Sequence, residues 1–76
     1  MAREQRIEIL AEMVANVLVV EVAVGDSVAI GDTVVLLESM KMEIPVLAEQ
    51  AGTVSAVKVG EGDVVQEGDV LATIEL

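Results

Sequence analysis

Residues 7–39 align on residues 44–76 without a gap, at an offset of 37, and no other feature of the chain limits its fold as severely. The pairs Ile7/Ile44, Leu10/Leu47, Ala11/Ala48, Glu12/Glu49, Val17/Val54, Val20/Val57 and Val22/Val59 are identical. So are Gly25/Gly62, Asp26/Asp63, Val28/Val65, Gly31/Gly68, Asp32/Asp69 and Glu38/Glu75, which makes thirteen identities over thirty-three positions, too many for chance. Such a duplication implies two like units that complete one another, related by a pseudo-twofold rotation. Between the copies lie only Met40, Lys41, Met42 and Glu43. The expectation is that this link sits at the surface near the axis, where its one group suited to chemistry is an amine.

The repeated unit is a β unit. Sixteen residues are valine, whose branched Cβ suits a pleated surface, and apolar runs of four to eight residues are broken by Gly-Asp pairs. Strands are predicted near 7–11, 17–22, 27–30 and 33–38, and again near 44–48, 54–59, 64–67 and 70–75. The predicted core is the set apolar in both copies: Ile7/Ile44, Ile9/Val46, Leu10/Leu47, Val17/Val54, Val20/Val57, Val22/Val59, Val28/Val65, Val34/Leu71 and Leu37/Ile74. Three-residue steps such as Val17 to Val20 point to bulges or to strands that cross between sheets. Eight short strands in so short a chain predict an all-β fold: a flattened barrel or sandwich of two small antiparallel sheets. The four Gly-Asp pairs are read as turns, glycine supplying positive φ and aspartate bonding its own backbone, rather than as a cation site. Ala15/Gly52 and Asn16/Thr53 are read as turn positions too. Pro45 cannot donate to a ladder, so it marks an edge or a strand start just past the lysine.

Composition removes whole classes of function. With 76 residues the chain forms one domain, and nearly all its apolar side chains are needed for the core, leaving little to line an enclosed substrate pocket. There is no cysteine and no histidine, hence no disulfide, no thiolate zinc site and no usual acid–base residue. Without Phe, Tyr or Trp there is no stacking platform for nucleic acid, and a net charge of −10 repels a phosphate backbone. No apolar run approaches membrane-spanning length. Residues 1–6 are expected to form a flexible polar tail with no signal segment, and the protein to be cytosolic and monomeric when free.

Met40 and Met42 fall outside the matched strands and flank Lys41 on either side, so exposed, recognition-type methionines are expected there. A lysine amine is almost wholly protonated at neutral pH, and no base is at hand to activate it. Lys41 is therefore expected to be a group acted upon by a partner enzyme, with no catalytic residue in the chain itself.

The run Glu38-Ser39-Met40-Lys41-Met42-Glu43 resembles the attachment motif of biotinyl domains, in which the lysine of Met-Lys-Met carries biotin in amide linkage. The resemblance spans residues 7–76, includes the Gly-Asp turns, and is strongest to short biotin carboxyl carrier-like proteins of actinobacteria. It implies a barrel-sandwich hybrid of two four-stranded antiparallel sheets with internal pseudo-twofold symmetry, the lysine sitting on a hairpin. It further implies covalent biotin on Lys41, with Met40 and Met42 read by biotin protein ligase and by biotin carboxylase and carboxyltransferase partners. The sister lipoyl domains usually show Asp-Lys-Ala, so a lipoyl-type acyl carrier is the first alternative. An unmodified acidic interaction module is the second. Ser39 stands where the family commonly has alanine, and the gapless repeat leaves no room for the extra thumb of some bacterial carriers.

Overall fold

The computed structural model describes residues 5–76, and every regular element in them is a strand. The eight strands are β1 (Arg6–Leu10), β2 (Ala15–Val20), β3 (Ser27–Val28), β4 (Thr33–Ser39), β5 (Met42–Leu47), β6 (Gly52–Val57), β7 (Val64–Val65) and β8 (Val70–Glu75). They form two four-stranded antiparallel sheets, ordered β1-β8-β6-β3 and β5-β4-β2-β7. Replacing each strand by its repeat twin turns one order into the other. The hydrogen bonds between distant segments obey the same exchange. Ala11 N–H donates to the Asp69 carbonyl and Ala48 N–H to the Asp32 carbonyl; Gly62 N–H donates to Val17 and Gly25 N–H to Val54. Each bond has a partner running the opposite way, as only an operation of order two produces. Both sheets therefore take two strands from each half, and neither half owns a sheet.

Tight turns at the Gly-Asp pairs make the reversals. In each, the aspartate carboxylate accepts from the N–H three residues earlier, at 2.8–2.9 Å: Ala23 to Asp26, Ala29 to Asp32, Gly60 to Asp63 and Gln66 to Asp69. The preceding glycines have φ between 92° and 99°, a region that costs other residues dearly. These four carboxylates serve the turns, as the sequence reading has it. Among the described residues no group of acidic side chains is placed to hold a metal, and no helix is long and apolar enough to cross a membrane.

The core is centred on Val17, Val34, Val35 and Leu37 with their twins Val54, Leu71, Ala72 and Ile74, each at most 2 % exposed. The three-residue step at Val17–Val20 is a bulge, since the register slips between Val17 and Val19 and again between Val54 and Ala56. Other slips lie at Val34 and Leu71, which the pairing skips, and they explain why Val35 and Ala72, absent from the predicted core, are buried beside them. The prediction fails for Leu10 and Leu47, which are 44 % and 45 % exposed. In β1 alternation turns Ile9 inward and Leu10 outward, and after the slip Ala11 takes the buried place, as Ala48 does in the other half.

Two further expectations need correction. Ala15-Asn16 and Gly52-Thr53 are not turns; they open β2 and β6. Gly52 is required there by clearance, because a Cβ would collide with the Glu75 carbonyl oxygen and meet Ile74 Cγ2 at 2.7 Å. Arg6, assigned to the tail, lies in β1 opposite Glu75, while residues 1–4 of that tail lie outside the described residues. Pro45 is on the edge strand β5, opposite Leu36. Counting rungs from the hairpin closure puts it at a non-hydrogen-bonded position, where its missing N–H falls on the open side.

Candidate functional site

β4 and β5 are joined by two residues, Met40 and Lys41, with Ser39 and Met42 as the closing pair. Both loop residues have positive φ, 54° and 67°. That is the pattern of a type I′ turn, whose twist matches the right-handed twist of the strands it joins. The turn is ordinarily made by Asn-Gly. Here a methionine and a lysine occupy left-handed positions that cost an ordinary residue about 1–2 kcal/mol each. They are the only described residues other than glycine with positive φ, and conformational cost concentrated at one exposed loop points to selection for what it displays.

Lys41 is exposed, Met40 is 91 % exposed and Met42 61 %. The three side chains the sequence singled out thus stand together at one tip, and the lysine has no hydrogen-bond or ion-pair partner among the described residues. The tip is firmly founded. β4 is an interior strand of its sheet and buries Val34, Val35 and Leu37, so the two-residue loop extends a ladder fixed in the core. One rung below the closing pair, Glu38 and Glu43 face each other across the hairpin, an acidic collar beneath the amine.

The expectation that the tip lies near the pseudo-axis needs correction. The rotation carries Ser39 and Met42 onto Leu76 and Gln5, and the latter pair is joined by its own bond from Leu76 N–H to the Gln5 carbonyl, 2.9 Å. The lysine hairpin is one end of the molecule, and the ends of the described chain meet at the equivalent place.

Sequence reasoning missed the shallow hollow beside the tip, lined by Val14, Asn16, Glu38, Ser39 and Val64. Val14 and Val64 are 62 % and 66 % exposed. Their repeat twins are Ala51 and Ser27, so the available signal was a departure from the repeat: one position of each copy carries a larger apolar side chain beside the lysine than its twin does elsewhere.

Residues 7–74 match the family described as biotin-requiring enzyme. A biotinylated protein TB7.3 homolog of Mycolicibacterium smegmatis is 63% identical over 38 residues, 50% of this chain and 54% of that protein. The chain thus aligns with about half the length of that curated relative. The structure resembles part of the urea carboxylase of Kluyveromyces lactis, with a TM-score of 0.87 and 32% identity over 97% of this chain and 6% of that one. It also resembles the lipoyl domain of the 2-oxoglutarate dehydrogenase complex from Azotobacter vinelandii, with a TM-score of 0.70 and 28% identity over 80% of this chain and 77% of that domain.

Proposed function

From the premise that this chain belongs to the family of biotin-requiring attachment domains, we propose that it is a biotin carboxyl carrier whose Lys41 bears biotin on Nζ. The observation that carries this reading is an exposed amine, without a partner among the described residues, on a left-handed two-residue loop. Such a tip fits a covalent group: the exposed loop can be reached by another enzyme, and among the described residues nothing competes for the nitrogen.

The residues divide the work simply. The turn aims Lys41 outward, β4 holds the turn still, and Met40 and Met42 offer apolar flanks to the enzyme that reads the site. None of the described residues bonds the amine, and the reading assigns to biotin protein ligase both the removal of its proton and the activation of the acyl group. Nζ then attacks the carboxyl carbon of biotin activated as an adenylate; one amide bond forms, AMP leaves, and the chain loses one positive charge. Once attached, biotin supplies a ureido nitrogen that can accept and release a carboxyl group. The rigid barrel then lets one tethered arm serve a biotin carboxylase site and a carboxyltransferase site in turn, each encounter being effectively intramolecular. An attachment domain spanning residues 7–76 behind an N-terminal tail, and a cytosolic setting for these partners, belong to the same proposal.

Intact-mass measurement after incubation with biotin protein ligase, biotin and ATP tests it. The expected product gains one biotin less one water, and Lys41→Arg gains nothing while keeping its β circular dichroism. Modification at Lys58 in place of Lys41 would sink the assignment. The likeness to a lipoyl domain supports a second reading, acyl transfer on a dithiolane, and a lipoyl ligase in the same assay separates the two by mass.

A further inference from the structure

The 37-residue offset also holds at the surface, and where it breaks is informative. Two grooves flank Leu10 and Leu47, each lined by residues of both edge strands β1 and β5 and of the turns beside them. Shifting the lining of one groove by 37 reproduces the other at eleven of twelve positions, so the fold builds the same groove twice. Their chemistry differs. Glu8, Gln50 and Glu67 in the first become Pro45, Met13 and Ile30 in the second, and buried Leu37 joins the second's lining. Ile30 is 72 % exposed and Met13 38 %, beside the half-exposed Leu10 and Leu47.

The fold does not need these apolar side chains. Ile30 and Glu67 occupy the same corner of the same Gly-Asp turn, with the same backbone-to-carboxylate bond, 2.9 Å at Asp32 and 2.8 Å at Asp69. Glutamate therefore suits that corner, and isoleucine there exposes apolar surface without packing benefit. A lone exposed Val24 at another turn is ordinary; a contiguous patch of Met13, Ile30, Pro45, Leu10 and Leu47 over an apolar floor is the mark of an interaction site.

Charge selects the occupant. Glu12 and Glu49 line the groove, among the described residues no lysine or arginine does, and the chain carries −10 overall. A second copy or an anionic lipid surface would bring like charge to this rim and be repelled, whereas a cationic segment is attracted. We propose that the groove docks a short segment of a partner protein in which lysine or arginine flanks branched apolar residues. The groove runs along β5 from Ile44 to Ala48, three to seven residues past Lys41. At about 3.3 Å per residue it begins about 10 Å and ends about 23 Å below the tip. An occupant there holds the domain while leaving the lysine hairpin uncovered. The proposal goes beyond the carrier reading and does not depend on modification of Lys41.

Titrating the isotope-labelled full chain with a synthetic peptide alternating lysine with leucine tests it by amide chemical shifts. Saturable shifts are expected at Ile30, Ile44, Val46 and Leu47, with Met40 unmoved and Lys41→Ala binding as well as the parent. Installing the twin residues, Met13→Gln with Ile30→Glu, should weaken binding about tenfold or more. The reciprocal pair Gln50→Met with Glu67→Ile should create a second set of shifts around Ile7 and Leu10, which keeps the test decisive should the first pair unfold. Equal binding by the Met13/Ile30 pair, equal binding of a glutamate–leucine peptide, or self-association of the parent through Ile30 would each overturn the proposal.

Discussion

Met40 and Lys41 adopt a backbone shape that their side chains oppose, and the cost is stored where the chain can be reached by another protein. Replacing them by the pair the turn prefers, Met40→Asn with Lys41→Gly, should raise stability by about 1–3 kcal/mol, since two left-handed residues are relieved at once. For so small a domain each kcal/mol raises Tm by roughly 4–8 °C, which a thermal melt resolves. The stabilised variant should also be refractory to the ligase. A melting point equal to or below the parent's would mean that the loop stores no such cost. The lysine was legible in the sequence because the repeat stops at Ser39 and resumes at Ile44, which isolates the link from every structural role the copies share. Its position at one end was not legible. An internal match says that two halves are related, and only the strand pairing tells which parts the rotation exchanges.

At the scale of strands, valine-rich runs and Gly-Asp turns were enough to place all eight elements to within a few residues. What escaped was a matter of contacts between segments far apart in the chain. Val35 and Ala72 are buried because the register slips beside Val34 and Leu71, and a slip belongs to a pair of strands, not to either one. Gly52 escaped for a similar reason: its small size answers to the Glu75 carbonyl and to Ile74 on β8. At the twin position Ala15 a methyl is present and buried, so the clearance that Glu75 and Ile74 demand of Gly52 is not demanded in the other half. Gly52→Ala is expected to cost about 1–3 kcal/mol by overpacking, measured as a fall in the urea midpoint at unchanged m-value. An unaltered midpoint would show that β6 moves aside freely, and the closeness of that pair would then carry no energetic weight.

The two halves exchange strands so thoroughly that the molecule has one core and two incomplete owners. β1 finds its ladder partner in β8, and β7 finds its own in β2, each across the repeat boundary. Separate peptides covering residues 1–39 and 42–76 should each lack β structure by circular dichroism, while an equimolar mixture recovers the spectrum and the dispersed amide resonances. A folded half alone would refute this picture of shared sheets. The same exchange stiffens the domain, because the two repeats cannot separate without unpairing both sheets. It also has a topological corollary. Since Gln5 and Leu76 already share a rung at the station equivalent to the lysine loop, the barrel is in effect a ring closed by two latches. A short engineered bridge across the Gln5–Leu76 latch would let the chain begin at Lys41 and finish at Met40 with every rung kept, leaving a circularly permuted barrel whose lysine-bearing latch is the one left unfastened.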